Sequence, residues 1–166
     1  MTEKIKDELK RCKKSETLSL LSINVGRKSK NDDYNWKATF IGPKNTGYAG
    51  GLFKLLINVP KDYPNNPPEI RFKNKVFHPN VRFDEEKDEM GGYHICSDYL
   101  NKWNQDHCIE SALTSIYQLM VCPTPEHGYS NEATNLLSQV NNDPFNEKYK
   151  SKCNEWVRKY STVDND

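Results

Sequence analysis

Apolar residues recur with two different periods along the first half of the chain. Ile5, Leu9 and Cys12 repeat at helical spacing among charged residues, which predicts a short amphipathic N-terminal helix. Alternation of apolar and polar residues then predicts strands at residues 18–25, 34–41, 52–59 and 69–72. A polar stretch at 26–33 and a glycine-rich stretch at 42–51 separate the first three strands. Successive strands with short connections predict an antiparallel meander.

The second half of the chain is predicted to be helical after one irregular stretch. Residues 78–108 have no clear period, and long irregular stretches inside a domain are usually functional. A largely apolar helix is predicted from Ile109, and a second helix capped by Ser130 is predicted to reach Val140. Asp143-Pro144 has the pattern of a cap followed by proline, which predicts the start of the final helix. The apolar stripe of that helix is expected to be Phe145, Tyr149, Cys153, Trp156 and Tyr160.

This order of elements predicts one α+β domain, and composition narrows the functional classes. The 166 residues include 24 Lys and Arg against 23 Asp and Glu, a formal net charge of +1. Nucleic-acid-binding domains usually carry a strong basic excess, so the balance argues against that class. No apolar run approaches the ~20 residues of a membrane span, and the N-terminus has no signal-peptide pattern. We therefore expect a soluble intracellular protein.

The cysteines are the candidate nucleophiles. There are five, an odd number, and no two form a Cys-x-x-Cys pair, which argues against a disulfide framework or zinc finger. Cys12, Cys122 and Cys153 lie on or at the end of apolar helical stripes and are expected to fill the core. Cys96 differs because it lies in the irregular stretch, where a thiolate could act as a nucleophile. The position of Cys108 is not predicted by the pattern.

Three kinds of chemistry remain open for this region. One is a zinc site, although the spacings match no common ligand pair; its ligands would come from His78, His94, Cys96, His107 and Cys108. Another is a cysteine protease with His78 or His94 as the base, although no protease signature surrounds Cys96. The third is a cysteine whose oxyanion intermediate accepts a hydrogen bond from a fixed Asn side chain in a proline-stiffened segment.

An ordered series of motifs covers nearly the whole chain. The series comprises Ile5-Lys-Asp-Glu-Leu9, Trp36-x-Ala-x-Phe-Ile-Gly42-Pro43, Tyr48-x-Gly50-Gly51-x-Phe53, Asp62-Tyr63-Pro64-x-x-Pro67-Pro68, His78-Pro79-Asn80, Ile95-Cys96, Trp103 and Pro123-x-Pro125-Glu126. This series resembles the ubiquitin-conjugating enzyme family. The resemblance implies a single catalytic domain over residues 1–166, with an N-terminal helix, a four-stranded meander, an irregular active-site segment and C-terminal helices.

The resemblance also implies a mechanism. Cys96 stands where the family forms a thioester with the C-terminal glycine of ubiquitin, received from an activating enzyme and passed to a ligase cysteine or a substrate lysine. Asn80 stands where the family places the residue held to stabilise the oxyanion or order the loop. His78, Asp98 and His127 are expected to support the site, with His78 more structural than basic. No metal or cofactor is expected, because the activating enzyme consumes the ATP.

Several partners follow from the same resemblance. They are ubiquitin or a ubiquitin-like modifier, an activating enzyme and a ligase. Neither a nucleic acid nor a membrane is expected as a partner. The protein is expected to be a monomer in the cytoplasm, the nucleus or both. The partner-binding residues are expected to be Lys4, Asn65, Gln105 and Asp106. Asn35-Trp36 and Gly50–Leu55 also resemble the SUMO-conjugating branch, so the modifier stays open. A non-catalytic ubiquitin-binding variant is the other alternative.

Two departures from the family pattern lead to further hypotheses. An acidic insert at 84–89 precedes Cys96, and its carboxylates are expected to attract a basic partner or acceptor lysine at low salt. These carboxylates belong to Asp84, Glu85, Glu86, Asp88 and Glu89. His127 follows Glu126, as in a branch of the family that prefers to transfer ubiquitin to ligase cysteines. This predicts that the Cys96 thioester discharges faster to cysteine than to lysine. Asp98 favours lysine instead, because an acidic residue at this position often helps to position the incoming lysine.

Overall fold

The computed structural model describes residues 3–163 and has the predicted α+β class. The helices are α1 (Glu3–Lys14), α2 (Glu16–Leu20), α3 (Asp98–Asn101), α4 (Ile109–Val121), α5 (Glu132–Gln139) and α6 (Glu147–Tyr160), with a 3₁₀ turn at Pro125–His127. The strands are β1 (Asn24–Ser29), β2 (Asp32–Ile41), β3 (Leu52–Asn58), β4 (Glu69–Phe72) and β5 (Tyr93–His94). They form one antiparallel sheet in the order β1-β2-β3-β4-β5, so a short fifth strand extends the expected four-stranded meander.

One face of this sheet carries the core. Side chains alternate along β2, where Trp36, Ala38 and Phe40 point inward and are almost completely buried. The Phe40 ring centroid lies 5.4 Å from that of Phe53 on β3 and 5.5 Å from that of Tyr117 on α4. Helix α4 therefore covers the inner face of the sheet. The burial of large aromatic side chains here supplies much of the hydrophobic stabilisation of the fold.

Helix α1 forms as its apolar spacing predicts and is tied to α4 by a buried carboxylate. Ile5, Leu9 and Cys12 are buried on one stripe of α1. On the same side, Glu8 Oε1 accepts a hydrogen bond from the Ile109 backbone N–H at 2.8 Å. That N–H is at the first turn of α4, where no intrahelical acceptor is available, and a negative charge there also offsets the helix dipole.

The predicted strand at 18–25 is wrong over its first half. Ser15 caps a helical turn, its Oγ accepting from the Leu18 N–H at 3.0 Å, so residues 16–20 form α2. Leu18 is buried, whereas Leu20 is 86% exposed, so the apparent alternation does not mark one face of a strand. The strand begins at Asn24 and continues to Ser29, through residues expected to form a turn. A pattern of two alternating leucines fits a short capped helix as well as a strand.

The two C-terminal helices begin later than their predicted caps. Asn131, not Ser130, caps α5, with its Oδ1 accepting from the Thr134 N–H at 2.9 Å. Asn146 caps α6, so Asp143-Pro144 lies in the preceding turn and Phe145 is 46% exposed outside the helix. Several cap-forming residues are adjacent in each stretch, and local sequence alone does not select among them.

Among residues 3–163, no helix is both long and apolar enough to cross a bilayer.

Candidate active site

Cys96 lies between the end of the sheet and a short helix. It follows β5 and Ile95, which bridges to Val81, and one residue, Ser97, separates it from α3. The Cys96 backbone N–H donates to the Asn80 carbonyl oxygen at 2.8 Å. Its side chain is partly exposed. The extended pairing of 81–82 with 94–95 therefore fixes the backbone of the cysteine while leaving its thiol accessible.

Asn80 is completely buried and links the cysteine to the segment that follows α4. Its Nδ2 lies 3.2 Å from the Cys96 carbonyl oxygen, 3.0 Å from the Thr124 carbonyl oxygen and 2.9 Å from Thr124 Oγ1. Its Oδ1 accepts from the Thr124 N–H at 3.0 Å. Both amide protons and the amide oxygen are thus engaged with the chain itself. In this arrangement Asn80 orders the loops around Cys96.

His78 is a buried, neutral part of the same segment. Its Nδ1 accepts from the Asn80 N–H at 2.9 Å, so Nε2 carries the proton and donates to the Leu119 carbonyl oxygen at 2.6 Å. Burial lowers the pKa of His78 from 6.5 to about 4. The ring is therefore uncharged at neutral pH, with both nitrogens occupied, and it is not arranged as a base for Cys96.

The segment after α4 approaches the His-Pro-Asn segment very closely. The Tyr129 N–H donates to the Pro79 carbonyl oxygen at 2.9 Å. A Cβ atom on Gly128 would lie 2.6 Å from that same oxygen, closer than real Cβ contacts occur. Asn131 adds a second tie, its Nδ2 lying 3.3 Å from the His78 carbonyl oxygen and 3.2 Å from that of Val81. Residues 124–131 thus form one wall of the cysteine site.

An acidic and a basic side chain flank the thiol. Asp98 Oδ2, from the first turn of α3, lies 2.7 Å from His127 Nδ1. Both side chains are about half exposed, and Lys102 Nζ lies 3.9 Å from the same carboxylate oxygen. The thiol of Cys96 donates to the backbone carbonyl oxygen of His127 at 2.7 Å. Sequence motifs placed both residues near Cys96, and the fold brings them into contact with each other.

The polar neighbours of the thiol define what it can do. Within residues 3–163, Sγ contacts the His127 carbonyl oxygen and, at 3.8 Å, Asn101 Nδ2. Neither group is a base, so the thiol is not paired with an imidazole as in a cysteine protease. Three or more His, Cys, Asp or Glu side chains do not cluster as metal ligands anywhere in the described part of the chain. The geometry fits an accessible thiol without a built-in base.

The other cysteines differ from Cys96 in their surroundings. Cys12 and Cys153 are buried as expected, and burial raises the pKa of each thiol to about 12. Cys108 is also buried, at the N-terminal end of α4. The expectation of a core position for Cys122 is wrong, because this residue caps the exposed C-terminal end of α4. Cys122 therefore provides a natural comparison for Cys96, an exposed thiol outside the candidate site.

Most of the expected partner-binding residues line one cleft that runs along α1. Lys4, Gln105 and Asp106 line a cleft of about 430 Å³ together with Tyr63 and Pro64. Trp103 Nε1 donates to the Pro64 carbonyl oxygen at 2.8 Å and fixes the loop opposite α1. Asn65, the next residue, is exposed beside the cleft. The fold thus brings together residues from three distant parts of the chain.

The acidic insert is held in place by hydrogen bonds and by one of its own carboxylates. It forms an arm between residues 82 and 94, where the Arg82 N–H donates to the His94 carbonyl oxygen at 2.9 Å. Asp88 Oδ2 lies 2.6 Å from Arg71 Nε on β4 and 3.1 Å from His94 Nε2. Partial burial raises the pKa of Asp88, but hydrogen bonds from Arg71 and from the Gly92 and Met90 N–H groups lower it overall. Asp88 therefore anchors the arm to β4, and the expectation that it helps to attract a basic partner is corrected. The other four carboxylates of the insert are exposed: Asp84, Glu85, Glu86 and Glu89.

Sequence reasoning missed three residues of the site. Asn101 lies near Sγ, Thr124 holds the amide of Asn80, and Asn131 holds the His78–Val81 turn. Thr124 and Asn131 contact residues more than 40 positions away, so no local spacing indicates them. Asn101 follows Cys96 by five residues in an irregular stretch, where a helical turn was not predicted.

The site is an accessible thiol beside the last strand of an antiparallel sheet, on a segment held by a buried Asn and followed by the short helix α3. The model for the family described as "Ubiquitin-conjugating enzyme" matches residues 4–156, and the chain belongs to that family. It is 36% identical over 124 residues to "Ubiquitin-conjugating enzyme E2 3" of Arabidopsis thaliana, which covers 74% of this chain and 77% of the relative.

Solved structures agree on the fold. The E2 domain of a Toxoplasma gondii ubiquitin conjugating enzyme superposes with a TM-score of 0.76 at 24% identity, covering 96% of this chain and 98% of that one. A Plasmodium yoelii structure described as a ubiquitin conjugating enzyme gives a TM-score of 0.75 at 29% identity, covering 96% and 94%. The family resemblance predicted from the motifs is confirmed.

Proposed function

We propose that this protein carries ubiquitin as a thioester on Cys96 and transfers it to a ligase cysteine or a substrate lysine. The observation that carries the proposal is the environment of Cys96 in a member of this family. Its thiol is accessible and contacts no basic side chain, and it lies on the segment held by Asn80. A thioester that must survive until its acceptor arrives is best formed by a thiol without an adjacent base.

The chemistry consists of two acyl transfers. In the first, the Cys96 thiolate attacks the thioester carbonyl of ubiquitin on the activating enzyme; the new C–S bond forms as the old one breaks, and the enzyme's cysteine leaves as a thiolate. In the second, an acceptor thiolate or amine attacks the Cys96 thioester and Cys96 leaves as a thiolate. An amine acceptor also loses a proton. ATP is consumed by the activating enzyme, so this chain needs no cofactor of its own.

In this mechanism Asn80 is a positioning residue. Its amide hydrogen bonds fix the Cys96 carbonyl group and Thr124, in the 124–131 wall, relative to each other. Donation to the oxyanion of the tetrahedral intermediate requires one of these contacts to be exchanged, because the amide has only two protons. His78 supports the same segment as a neutral ring between the Asn80 N–H and the Leu119 carbonyl oxygen.

Asp98 and His127 face the approach of the acceptor. A lysine ammonium must lose its proton before it attacks, and a carboxylate near the thioester can attract the ammonium and accept that proton. The 2.7 Å contact with His127 engages this carboxylate, so one of its oxygens is already paired when an acceptor amine arrives. This supports the expectation that a cysteine acceptor is favoured over a lysine.

The cleft lined by Lys4, Gln105 and Asp106 is the proposed contact surface for the activating enzyme and the ligase, with Asn65 at its edge. These partners act in the cytoplasm, the nucleus or both. The contact is expected to be more polar than usual for the family, since Asn65, Gln105 and Asp106 stand where apolar side chains are common. We therefore expect weak binding to ligases that rely on an apolar loop contact.

A charging assay tests the proposal. The protein is incubated with ubiquitin, an activating enzyme and ATP, and the adduct is examined with and without reducing agent. Wild type and Cys122→Ser are expected to form an adduct that the reducing agent removes, whereas Cys96→Ser is expected to form an ester that resists it. An adduct that disappears in Cys122→Ser but persists as a thioester in Cys96→Ser contradicts the assignment.

The same assay decides between the alternatives for the modifier. Parallel reactions contain a SUMO-type modifier with its own activating enzyme. Charging with that modifier and not with ubiquitin transfers the proposal to the ubiquitin-like branch. Absence of any adduct in all reactions, with a positive control enzyme charged, supports the non-catalytic alternative.

A further inference from the structure

The acyl transfers require a hydrogen-bond donor that Asn80 does not have to spare. Each transfer passes through a tetrahedral intermediate whose former carbonyl oxygen carries a negative charge, and a donor aimed at that oxygen lowers the barrier. The two protons of Asn80 Nδ2 already have three acceptors within reach, the Cys96 carbonyl oxygen at 3.2 Å and two oxygens of Thr124 at 3.0 and 2.9 Å. A donor that is not engaged by the chain itself must therefore be sought elsewhere.

Asn101 carries such a donor next to the sulfur. It is the last residue of α3, and its Nδ2 lies 3.8 Å from Cys96 Sγ. The side chain is exposed, and within residues 3–163 the contact with the sulfur is its one hydrogen bond. An Asn amide has two protons, so at least one of them has no acceptor in the described chain. The amide is thus free to donate to a group that forms at the sulfur.

The short helix α3 holds Asn101 in this place. The Asn101 backbone N–H donates to the Ser97 carbonyl oxygen at 2.9 Å, so one helical turn returns the chain to the cysteine. The helix and the residues after it are anchored by aromatic contacts, because the ring centroids of Tyr99 and Trp103 lie 5.9 Å apart. Trp103 Nε1 in turn donates to the Pro64 carbonyl oxygen at 2.8 Å. The donor is therefore carried on a fixed element.

The distance and the chemistry of the neighbouring groups both favour Asn101. The oxyanion is bonded to the carbon that is bonded to Sγ, so a donor in contact with the sulfur needs only a small rotation to reach the ~2.7–3.1 Å at which such donors act. The other polar neighbour of Sγ, the His127 carbonyl oxygen, is an acceptor and offers nothing to an anion. We infer that Asn101 is a catalytic residue whose Nδ2 donates to the oxyanion in both transfers, an inference that rests on the proposed function.

Asn101 acts in each transfer without giving up a proton. When the nucleophile attacks, the carbonyl π electrons move to the oxygen and the Nδ2–H group hydrogen-bonds to it. When the intermediate collapses, the C=O bond re-forms and the C–S bond to the leaving thiolate breaks. The oxyanion has the same position whether a thiolate or an amine attacks. The contribution of Asn101 is therefore independent of the acceptor, unlike that expected for Asp98 and His127.

Single-turnover discharge of the Cys96 thioester tests the inference. Asn101→Ala is expected to slow discharge to free cysteine and to free lysine by the same factor of about ten, less than for a donor shielded from water. Asn101→Asp is expected to be at least as slow, because its carboxylate repels the oxyanion, and Asn101→Gln to recover part of the rate. The matched variant Asn135→Ala removes an exposed Asn of α5 and is expected to stay within about twofold of wild type.

Alkylation by iodoacetamide separates this role from a general effect on the thiol. The reaction forms no oxyanion, so in a Cys122→Ser background Asn101→Ala is expected to be alkylated at Cys96 within about twofold of the wild-type rate. Denaturant unfolding is expected to show unchanged stability. Equal slowing of alkylation and discharge, or slowing for one acceptor alone, overturns the inference.

The outcome also distinguishes this inference from the proposed function. A wild-type chain that charges with ubiquitin while Asn101→Ala discharges at the wild-type rate overturns the role of Asn101 and leaves the proposed function standing. A wild-type chain that forms no thioester with any modifier overturns both.

Discussion

At the level of single residues, Asn80 has two proposed roles that experiment can separate. Asn80→Ala leaves the Thr124 N–H and the Cys96 carbonyl oxygen without their buried partners. Leaving buried polar groups unpaired costs about 1–3 kcal/mol each, so we expect the free energy of unfolding to fall by about 2 kcal/mol or more. We also expect charging and discharge to slow together, because the backbone around the thiol is no longer fixed. Denaturant unfolding and single-turnover kinetics measure the two effects.

If Asn80 acts only by stabilising the oxyanion, Asn80→Ala is expected to change the two measurements differently. The variant then keeps its stability and loses mainly the rate of acyl transfer. Thr124→Val serves as a second variant, because it removes one acceptor of the amide and keeps the backbone contacts. It is expected to have a small effect on both measurements.

His127 offers a second prediction at this scale, on the choice of acceptor. Wild-type thioester is expected to discharge faster to free cysteine than to free lysine. In His127→Ala, Asp98 loses its 2.7 Å contact and can attract the lysine ammonium, so lysine discharge is expected to rise by up to about tenfold. Asp98→Asn is expected to lower it, and Glu126→Ala, an exposed neighbour outside the contact, to leave it unchanged. Brisk lysine discharge in wild type, unaffected by His127→Ala, contradicts the prediction.

At the level of elements, His78 joins the segment before Asn80 to the last turns of α4, and this link is sensitive to pH. The folded pKa is about 4 against an ordinary value of 6.5, so below pH 6.5 the unfolded chain binds a proton that the folded chain does not. Stability from this group is therefore complete above pH 6.5 and is lost as the pH falls toward 4. The loss amounts to about 3 kcal/mol.

Denaturant unfolding between pH 7 and pH 4 measures this loss. His78→Gln is expected to be less stable at pH 7 but to lose less stability on acidification than wild type. Parallel curves for wild type and His78→Gln rule out the linkage.

Elements with a strong and unambiguous period could be predicted, and those that depend on distant partners could not. The stripe of α1 and the alternation of β2 follow directly from the spacing of their apolar residues. The stretch around Leu18 was ambiguous, because Ser15 can cap a helical turn that the leucine alternation conceals. Cys122 follows an apolar helix and was expected to be buried, but it is exposed. Its exposure depends on where the end of that helix lies in the fold, which the local sequence does not indicate.

The same distinction applies to the site. The motif around Cys96 and the His-Pro-Asn segment are enough to predict that the cysteine, Asn80 and His78 belong to one site. The engagement of the Asn80 amide by Thr124 joins residues 44 positions apart, and no local pattern indicates it. The anchoring of Asp88 by Arg71 is likewise a tertiary contact, so an acidic run in the sequence overstates the carboxylates that are free to attract a partner.

At the level of the whole molecule, a net charge of +1 conceals separated charges. The arm exposes carboxylates at 84–86 and 89, whereas a cleft beside it, on the face of the sheet away from the core, is lined by lysines. Adjacent surfaces of the molecule therefore carry opposite charges. The exposed carboxylates of the arm are expected to speed the encounter with a basic acceptor, in a way that salt suppresses.

Neutralising the arm tests this separation while leaving its anchor intact. The variant D84N/E85Q/E86Q/E89Q keeps Asp88 and its contact with Arg71. We expect its thioester to discharge to a lysine-rich peptide a few-fold more slowly than wild type at about 0.05 M salt, with the difference vanishing near 0.5 M because exposed charges are then screened. The variant E16Q/E132Q/E147Q/E155Q makes the same charge change on other surfaces and is expected to match wild type at both salt concentrations. Identical rates for wild type and the arm variant at low salt would show that the exposed carboxylates play no part in attracting the acceptor.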